Sequence, residues 1–209
     1  GTDTLNIVSG GIITGSANTS IGAGRLTAGP VSGAVGTQHL YIHANSNRLA
    51  LNATIVDNSA NAPVRLVTAF YNNNGGVTMT AANTYTGGTV FQGWDTGGTS
   101  HGAMLDGAYG TVVIPAGGLT ITNTTVTMLN NSGQIDPSNV VTINGAAALT
   151  LFGSNTLAKL VFNNDGGART PFINTSGLLT LPTSANPVIV AGGSLYGTVP
   201  DLRGQIDLG

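Results

Sequence analysis

Residues 118–129 read GLTITNTTVTML, and this stretch indicates the fold most directly. Leu119 and Ile121 would point to one side of an extended strand, while Thr120 and Thr122 would point to the other. This alternation is typical of a half-buried β-strand. Similar short apolar segments recur along the chain between Gly, Asn and Pro residues, and none has the apolar spacing of a long helix. The sequence therefore predicts an all-β protein built from many short strands.

The spacing of these strands predicts a repeating coil. Strand starts at Val77, Leu119 and Thr142 lie 42 and 23 residues apart, which corresponds to a coil of roughly 20–23 residues. Glycine doublets recur between the strands, and glycine readily adopts the left-handed backbone of tight turns. We therefore expect residues 1–209 to form a single segment of right-handed parallel β-helix (β-solenoid), in preference to a β-sandwich. We also expect the segment to belong to a longer polypeptide or a fibre.

The charge composition agrees with stacked coils. Charged residues make up 7% of the 209 residues, all eight acids are Asp, and Lys159 is the single lysine. Equivalent residues of successive coils lie about 4.8 Å apart, and two like charges at that distance repel by about 0.9 kcal/mol even in water. Thr and Asn can instead form hydrogen bonds along the stack. With six cations and eight anions the chain also lacks the basic surface of a nucleic-acid binder.

One motif resembles a known family. Residues 77–93 read VTMTAANTYTGGTVFQG, which is similar to the repeat of the autotransporter-associated β-strand proteins, often written LTLSGANTYTGGTTV. Where that family usually has a lysine and Gly-x-Gly before the strand, residues 68–76 read TAFYNNNGG, so a different turn is expected there. The resemblance implies a secreted, surface-exposed bacterial β-helical passenger or fibre segment. It implies no catalytic residues, because the repeat is structural; its core here is Asn83, Thr84, Tyr85, Thr86, Gly87, Gly88 and Thr89.

Within this motif the residue types suggest local roles. Asn83 is suited to a turn or to an internal ladder of asparagines. Gly87 and Gly88 are suited to a tight corner. We expect Tyr85 to stack on the flank of the solenoid or to cap the edge of a coil, with plain packing of the ring as the alternative.

Two motifs are typical of enzymes or metal sites, but the sequence around each of them does not fit that function. Residues 98–102 (GTSHG) match the G-x-S-x-G nucleophile elbow, but no helix pattern follows them and no histidine occurs after His101. His39 and His43 have the i, i+4 spacing that binds a metal on a helix. Their surroundings read as a strand, where the two imidazoles would lie about 13 Å apart. We therefore predict neither a nucleophile nor a metal site, and we expect no cofactor.

The Gly-rich segment 92–110 is a candidate loop that leaves the solenoid. Loops of this kind often contribute to function, and this one concentrates polar and aromatic side chains suited to contact with a carbohydrate or calcium. A purely structural loop is the alternative. The candidate ligand residues are Trp94, Asp95, His101 and Asp106.

The functional expectation is a non-enzymatic, secreted bacterial surface or extracellular protein with a structural and adhesive role. The alternatives are a self-assembling fibre or sheath subunit that stacks head-to-tail, and a carbohydrate-active β-helix such as a polysaccharide lyase or hydrolase. The Asp residues are scattered rather than paired, which disfavours the enzyme because such enzymes use clustered carboxylates. Expected partners are further copies of the chain (head-to-tail or lateral), adjoining coils, or surface glycans and neighbouring cells. Nucleic acid and membrane insertion by this segment are not expected.

Overall fold

Short strands make up the regular structure of this chain. A computed structural model describes residues 3–15, 18–71, 75–94, 102–164, 170–182, 188–194 and 199–209. Those residues contain no helix, so the part of the chain that they cover has no helix that could cross a membrane. The strands are β1 Thr4–Ile7, β2 Gly11–Thr14, β3 Thr19–Ile21, β4 Arg25–Ala28, β5 Gln38–Ala44, β6 Arg48–Leu51, β7 Thr54–Ile55, β8 Val64–Phe70, β9 Gly76–Met79, β10 Thr89–Gly93, β11 Gly102–Leu105, β12 Leu119–Thr122, β13 Thr125–Met128, β14 Val140–Asn144, β15 Ala148–Leu151, β16 Asn155–Thr156, β17 Lys159–Asn164, β18 Phe172–Thr180, β19 Ile189–Ser194 and β20 Asp201–Asp207.

The strands form the faces of a parallel β-solenoid, as the sequence predicted. Face 1 is an eight-stranded sheet in the order β19-β17-β14-β12-β10-β8-β5-β2. Face 2 is a nine-stranded sheet in the order β16-β18-β15-β13-β11-β9-β6-β3, with β20 also paired to β18. Face 3 contains a three-stranded sheet in the order β1-β4-β7. Neighbouring strands of a face come from successive coils, so every coil adds one layer to the stack.

The registers give the length of each coil. In face 1, Thr120 pairs with Thr142, which lies 22 residues later, and Val67 pairs with Val90, which lies 23 residues later. These coils have the predicted length. Others are longer: Val90 pairs with Thr120, 30 residues later. Corner segments can lengthen without disturbing the stack, because only the strands must keep their register.

One assumption behind the predicted period was wrong. Val77 lies in face 2, where it pairs with Leu49 and Ala103. Leu119 lies in face 1, where it pairs with Val141. The 42-residue interval between Val77 and Leu119 therefore compares strands of different faces. Both strands show the same alternation of apolar and polar residues, so their sequence pattern does not distinguish one face from another.

The core is a column of apolar side chains inside the coils. The inward row of face 1 illustrates it, because each member pairs with the next one up the stack. Nearly all members are completely buried apolar residues, and one is a threonine. The row contains Ile42, Thr68, Phe91, Ile121, Ile143 and Phe162.

Polar side chains on the outside of the coils bond along the stack, as the composition suggested. Thr80 donates from Oγ1 to Oδ1 of Asn52 at 2.9 Å, and Asn144 donates from Nδ2 to Oγ1 of Thr122 at 3.2 Å. In both pairs the partners belong to different coils. Thr and Asn therefore link coils at positions where like charges would repel.

Candidate functional site

Asn83 joins three coils through its side chain. It is buried at 6% exposure, and it lies at the beginning of the family-like motif. Its Oδ1 accepts a hydrogen bond from the backbone N–H of Ile55 at 2.7 Å, and its Nδ2 donates to the carbonyl of Val113 at 2.7 Å. Ile55 belongs to the preceding coil and Val113 to the following one. Both partners are backbone groups, so Asn83 links the coils without the predicted ladder of asparagines.

Three other buried amides each accept a hydrogen bond from the backbone of the preceding coil, and the sequence did not single them out. Gln134 accepts at Oε1 from the backbone N–H of Gly107 at 2.6 Å. The other two are Asn139, which accepts from Gly118 N–H at 2.8 Å, and Asn155, which accepts from Gly133 N–H at 3.0 Å. Each bond links neighbouring coils. In a chain so rich in asparagine these positions have no distinguishing sequence signal; only their burial identifies them.

Asp57 links its own coil to the motif. Its Oδ1 accepts from the backbone N–H of Val64 at 2.7 Å and of Thr86 at 2.9 Å, and its Oδ2 accepts from Thr86 Oγ1 at 2.8 Å. The carboxylate therefore holds the corner between β7 and β8 against the corner before β10. Charge-assisted hydrogen bonds of this kind are among the stronger ones in proteins.

The expectation that Tyr85 lies on the flank or at a coil edge was wrong. Tyr85 is completely buried, and its hydroxyl hydrogen-bonds Oγ1 of Thr89, also buried, at 2.5 Å. Burial raises the pKa of the Tyr85 phenol far above its usual value, because the charged phenolate would lose its water, although the bond to Thr89 opposes the shift. The alternative, a packing aromatic, is confirmed. Thr84 lies beside it with its side chain exposed.

Gly87 and Gly88 form the predicted tight corner. A Cβ on Gly87 would lie 2.5 Å from the carbonyl oxygen of Val64, one coil below. Gly88 has φ +86°, and a Cβ there would lie 2.5 Å from the carbonyl oxygen of Gly117, one coil above. The two glycines thus allow three coils to approach closely at this corner.

The segment 92–110 is less of a loop than the sequence suggested. Residues 92–93 end β10 and residues 102–105 form β11, which pairs with β9 and β13 within face 2. The loop prediction is therefore wrong for these residues, which pair in register with strands of neighbouring coils. Asp95 and His101 lie outside the described residues.

The two described members of the candidate ligand set have different partners. Trp94 follows β10 and donates from its backbone N–H to the carbonyl of Phe70 at 3.2 Å. Asp106 follows β11, and the four residues of that strand extend about 13 Å. Asp106 instead accepts from Nδ2 of Asn130 at 2.9 Å. The partner of Trp94 is Tyr71 of the coil below: the two exposed rings are tilted by 58° with centroids 6.3 Å apart.

The enzyme-like motif around Gly102 is only partly described, because residues 98–101 lie outside the described residues. Gly102 itself has a structural role. Arg48 is half-buried and donates from its guanidinium to the carbonyls of Val77 and Gly102, each at 3.2 Å. Burial lowers the pKa of Arg48. Gly76 lies between Arg48 and Gly102 in the register of face 2, and a Cβ there would lie 2.9 Å from the Arg48 guanidinium.

His39 and His43 lie on strand β5, as expected from the alternation around them. Both point outward, and the ring of His39 stacks on Tyr41 with centroids 5.5 Å apart. Their strand spacing keeps them too far apart to share one metal. Among the described residues, no three His, Cys, Asp or Glu side chains come close enough to hold a metal ion.

The comparisons with known proteins do not extend this description. No protein-family model, no curated protein sequence and no solved structure matches the chain.

Proposed function

We propose that this chain is a non-enzymatic structural and adhesive segment of a secreted bacterial surface β-solenoid, similar to passengers of the autotransporter-associated β-strand repeat family. The observation that supports this most is how the motif's polar groups are used. Asn83 bonds the coils on both sides of it, and Thr86 binds Asp57 of the coil below. These groups are occupied in holding the stack together, which is what a structural repeat requires.

The hydrogen bonds of three Asp side chains also support a structural role. Asp57 accepts three hydrogen bonds, Asp106 accepts one from Asn130, and Asp136 accepts from the backbone and hydroxyl of Ser138 at 2.9 and 2.6 Å. A glycoside hydrolase needs two carboxyl groups that face one substrate bond. These three are each engaged in local or inter-coil bonds, which favours the structural role over the carbohydrate-active alternative.

The mechanism of such a protein is geometric. Eight parallel strands spaced by about 4.8 Å give a rod that extends about 34 Å along the stack. The outer rows of side chains repeat at that spacing, so a ligand with its own repeat can form many weak contacts at once. Linked weak contacts give a much higher avidity than any one of them.

Two experiments test the two parts of this proposal. Pectin-like and other acidic polysaccharides are incubated with the purified chain, and new reducing ends and unsaturated oligosaccharides are measured. We expect neither product; turnover that is absent from a mock purification would overturn the non-enzymatic assignment.

Adhesion is measured with bacteria that display the chain on a surface anchor, with the anchor alone as the control. We expect the displaying cells to be retained more strongly on surfaces coated with glycans or host cells. Retention equal to that of the anchor alone on every surface would overturn the adhesive role.

A further inference from the structure

The outer side of face 1 has a continuous neutral row along its middle. Each member pairs with the next one up the stack, so the side chains stand in register, one per coil. Val and Thr dominate the row, and their branched side chains form a low, regular ridge. This central row consists of Tyr41, Val67, Val90, Thr120, Thr142, Val161 and Val190.

The cationic side chains of this face lie at its border. Arg65 is the second residue of β8 and points outward, and Lys159 is the first residue of β17. Arg65 is also directed to the corner, because its Nε donates to the carbonyl of Gly87 at 3.0 Å. Protein interfaces have this arrangement of an uncharged centre and a polar rim.

Face 2 differs in its middle row, which has more polar members. It contains one arginine, one asparagine and four hydroxyl side chains, and its aliphatic members are an alanine and a methionine. The row consists of Ser20, Ala50, Thr78, Met104, Thr127, Thr150, Asn174 and Arg203. Face 1 is therefore the better candidate for an apolar contact.

The size of face 1 suits a second copy of the chain. Its eight strands contain four to seven residues each, so the sheet measures about 34 Å along the stack and about 18 Å along the strands. Two such faces in contact would bury about 1,200 Å², the lower end of the range for specific protein–protein interfaces. Most soluble oligomers are two-fold dimers, in which one patch meets its own copy.

We propose that face 1 binds face 1 of a second copy of the chain, so that two solenoids pair side by side through their central rows. The contact resembles the packing of two sheets about 10 Å apart, with the branched side chains of one row seated between those of the other. This pairing goes beyond the proposed function and does not depend on it, since an enzyme or a fibre subunit with the same face would dimerise equally.

The test is sedimentation of the full chain over a range of concentrations, with substitutions on each face. Val90→Lys and Thr142→Lys each place a charge at the centre of face 1. Thr127→Lys is the matched control, because it places the same charge in the middle row of face 2. Circular dichroism and thermal unfolding verify that each variant remains folded.

We expect the wild-type chain and Thr127→Lys to form a dimer at about 100 µM, and Val90→Lys and Thr142→Lys to be at least 10-fold weaker dimers. A wild-type chain that stays monomeric at about 100 µM would overturn the proposal, since a micromolar contact would be mostly dimeric there. Loss of the dimer in Thr127→Lys, with the dimer retained in both face 1 variants, would also overturn the proposal. Open-ended oligomers that persist in Val90→Lys and Thr142→Lys would overturn it as well, because such assembly would not use face 1. If one of these two variants fails to fold, the other decides.

Discussion

Replacement of Asn83 by alanine tests whether buried amides hold the coils together. The substitution leaves the N–H of Ile55 and the carbonyl of Val113 without partners, and both groups belong to buried residues. An unpaired buried polar group costs about 1–3 kcal/mol, so for two such groups we expect the free energy of unfolding to fall by about 2–6 kcal/mol. With a urea slope of about 2 kcal/mol/M, the unfolding midpoint falls by about 1–3 M.

The assay is equilibrium urea unfolding followed by circular dichroism. Thr84→Ala is the matched control, because Thr84 is the next residue and its side chain is exposed; its effect should stay within about 0.5 kcal/mol. If Asn83→Ala were as mild as Thr84→Ala, the amide bridge would not stabilise the stack and the reasoning would be refuted.

Asn83→Asp adds a pH test at the same position. The carboxyl group can accept from Ile55, but only its protonated form can donate to Val113. Burial therefore raises the folded-state pKa of the introduced Asp above its unfolded value of about 3.9. Because the folded state binds the proton more tightly, the stability of the variant relative to wild type is highest below about pH 4 and falls as the pH rises through the folded-state pKa. A variant whose stability relative to wild type does not change between acid and neutral pH would contradict this account.

Three further predictions concern the same corner and the core. Tyr85 should not ionise in the folded protein at alkaline pH, because burial raises its pKa; the unfolded chain ionises near pH 10, so stability falls as the pH rises above that value, which absorbance of the phenolate can follow. Gly87→Ala should lower the free energy of unfolding by about 2 kcal/mol or more, because its Cβ would lie 2.5 Å from the carbonyl oxygen of Val64; Gly11→Ala, where a Cβ meets no atom within 4 Å, should have little effect, and equal losses would contradict the packing argument. Thr68→Val should raise the unfolding free energy by about 1 kcal/mol, since the Thr68 hydroxyl is buried without a partner; a clear loss in the same urea assay would show that the hydroxyl has a partner in solution.

The strand pattern could be predicted because it depends on local chemistry. Leu119 and Ile121 are buried while Thr120 and Thr122 face outward, as their alternation indicated. The corner at Gly87 and Gly88 was predictable for the same reason, since few other residues fit a backbone approached so closely from both sides. The solenoid itself followed from many short strands together with scarce charge.

The position of a strand around the coil could not be predicted in this way. Val77 and Leu119 have similar sequence surroundings but belong to different faces, because a strand of either face needs the same alternation. Tyr85 was expected on the flank or at a coil edge, yet it is buried and Thr89 provides a partner for its hydroxyl inside the core. Which polar group meets which partner depends on residues one coil away, about 20–30 positions along the chain.

The sequence by itself therefore determined the class of fold. Its strands are short and alternating, its corners contain glycine, and its charge content is low enough for equivalent residues of successive coils to lie next to one another. The tertiary structure decided how the scarce polar groups are used. Asn83, Asp57 and Arg48 each reach backbone groups of neighbouring coils, and these partners are close only after the chain has wound. The neighbours of a residue along the chain determine whether it lies in a strand. Its neighbours along the stack determine its hydrogen-bond partners, because the hydrogen bonds that join the coils run across the strands.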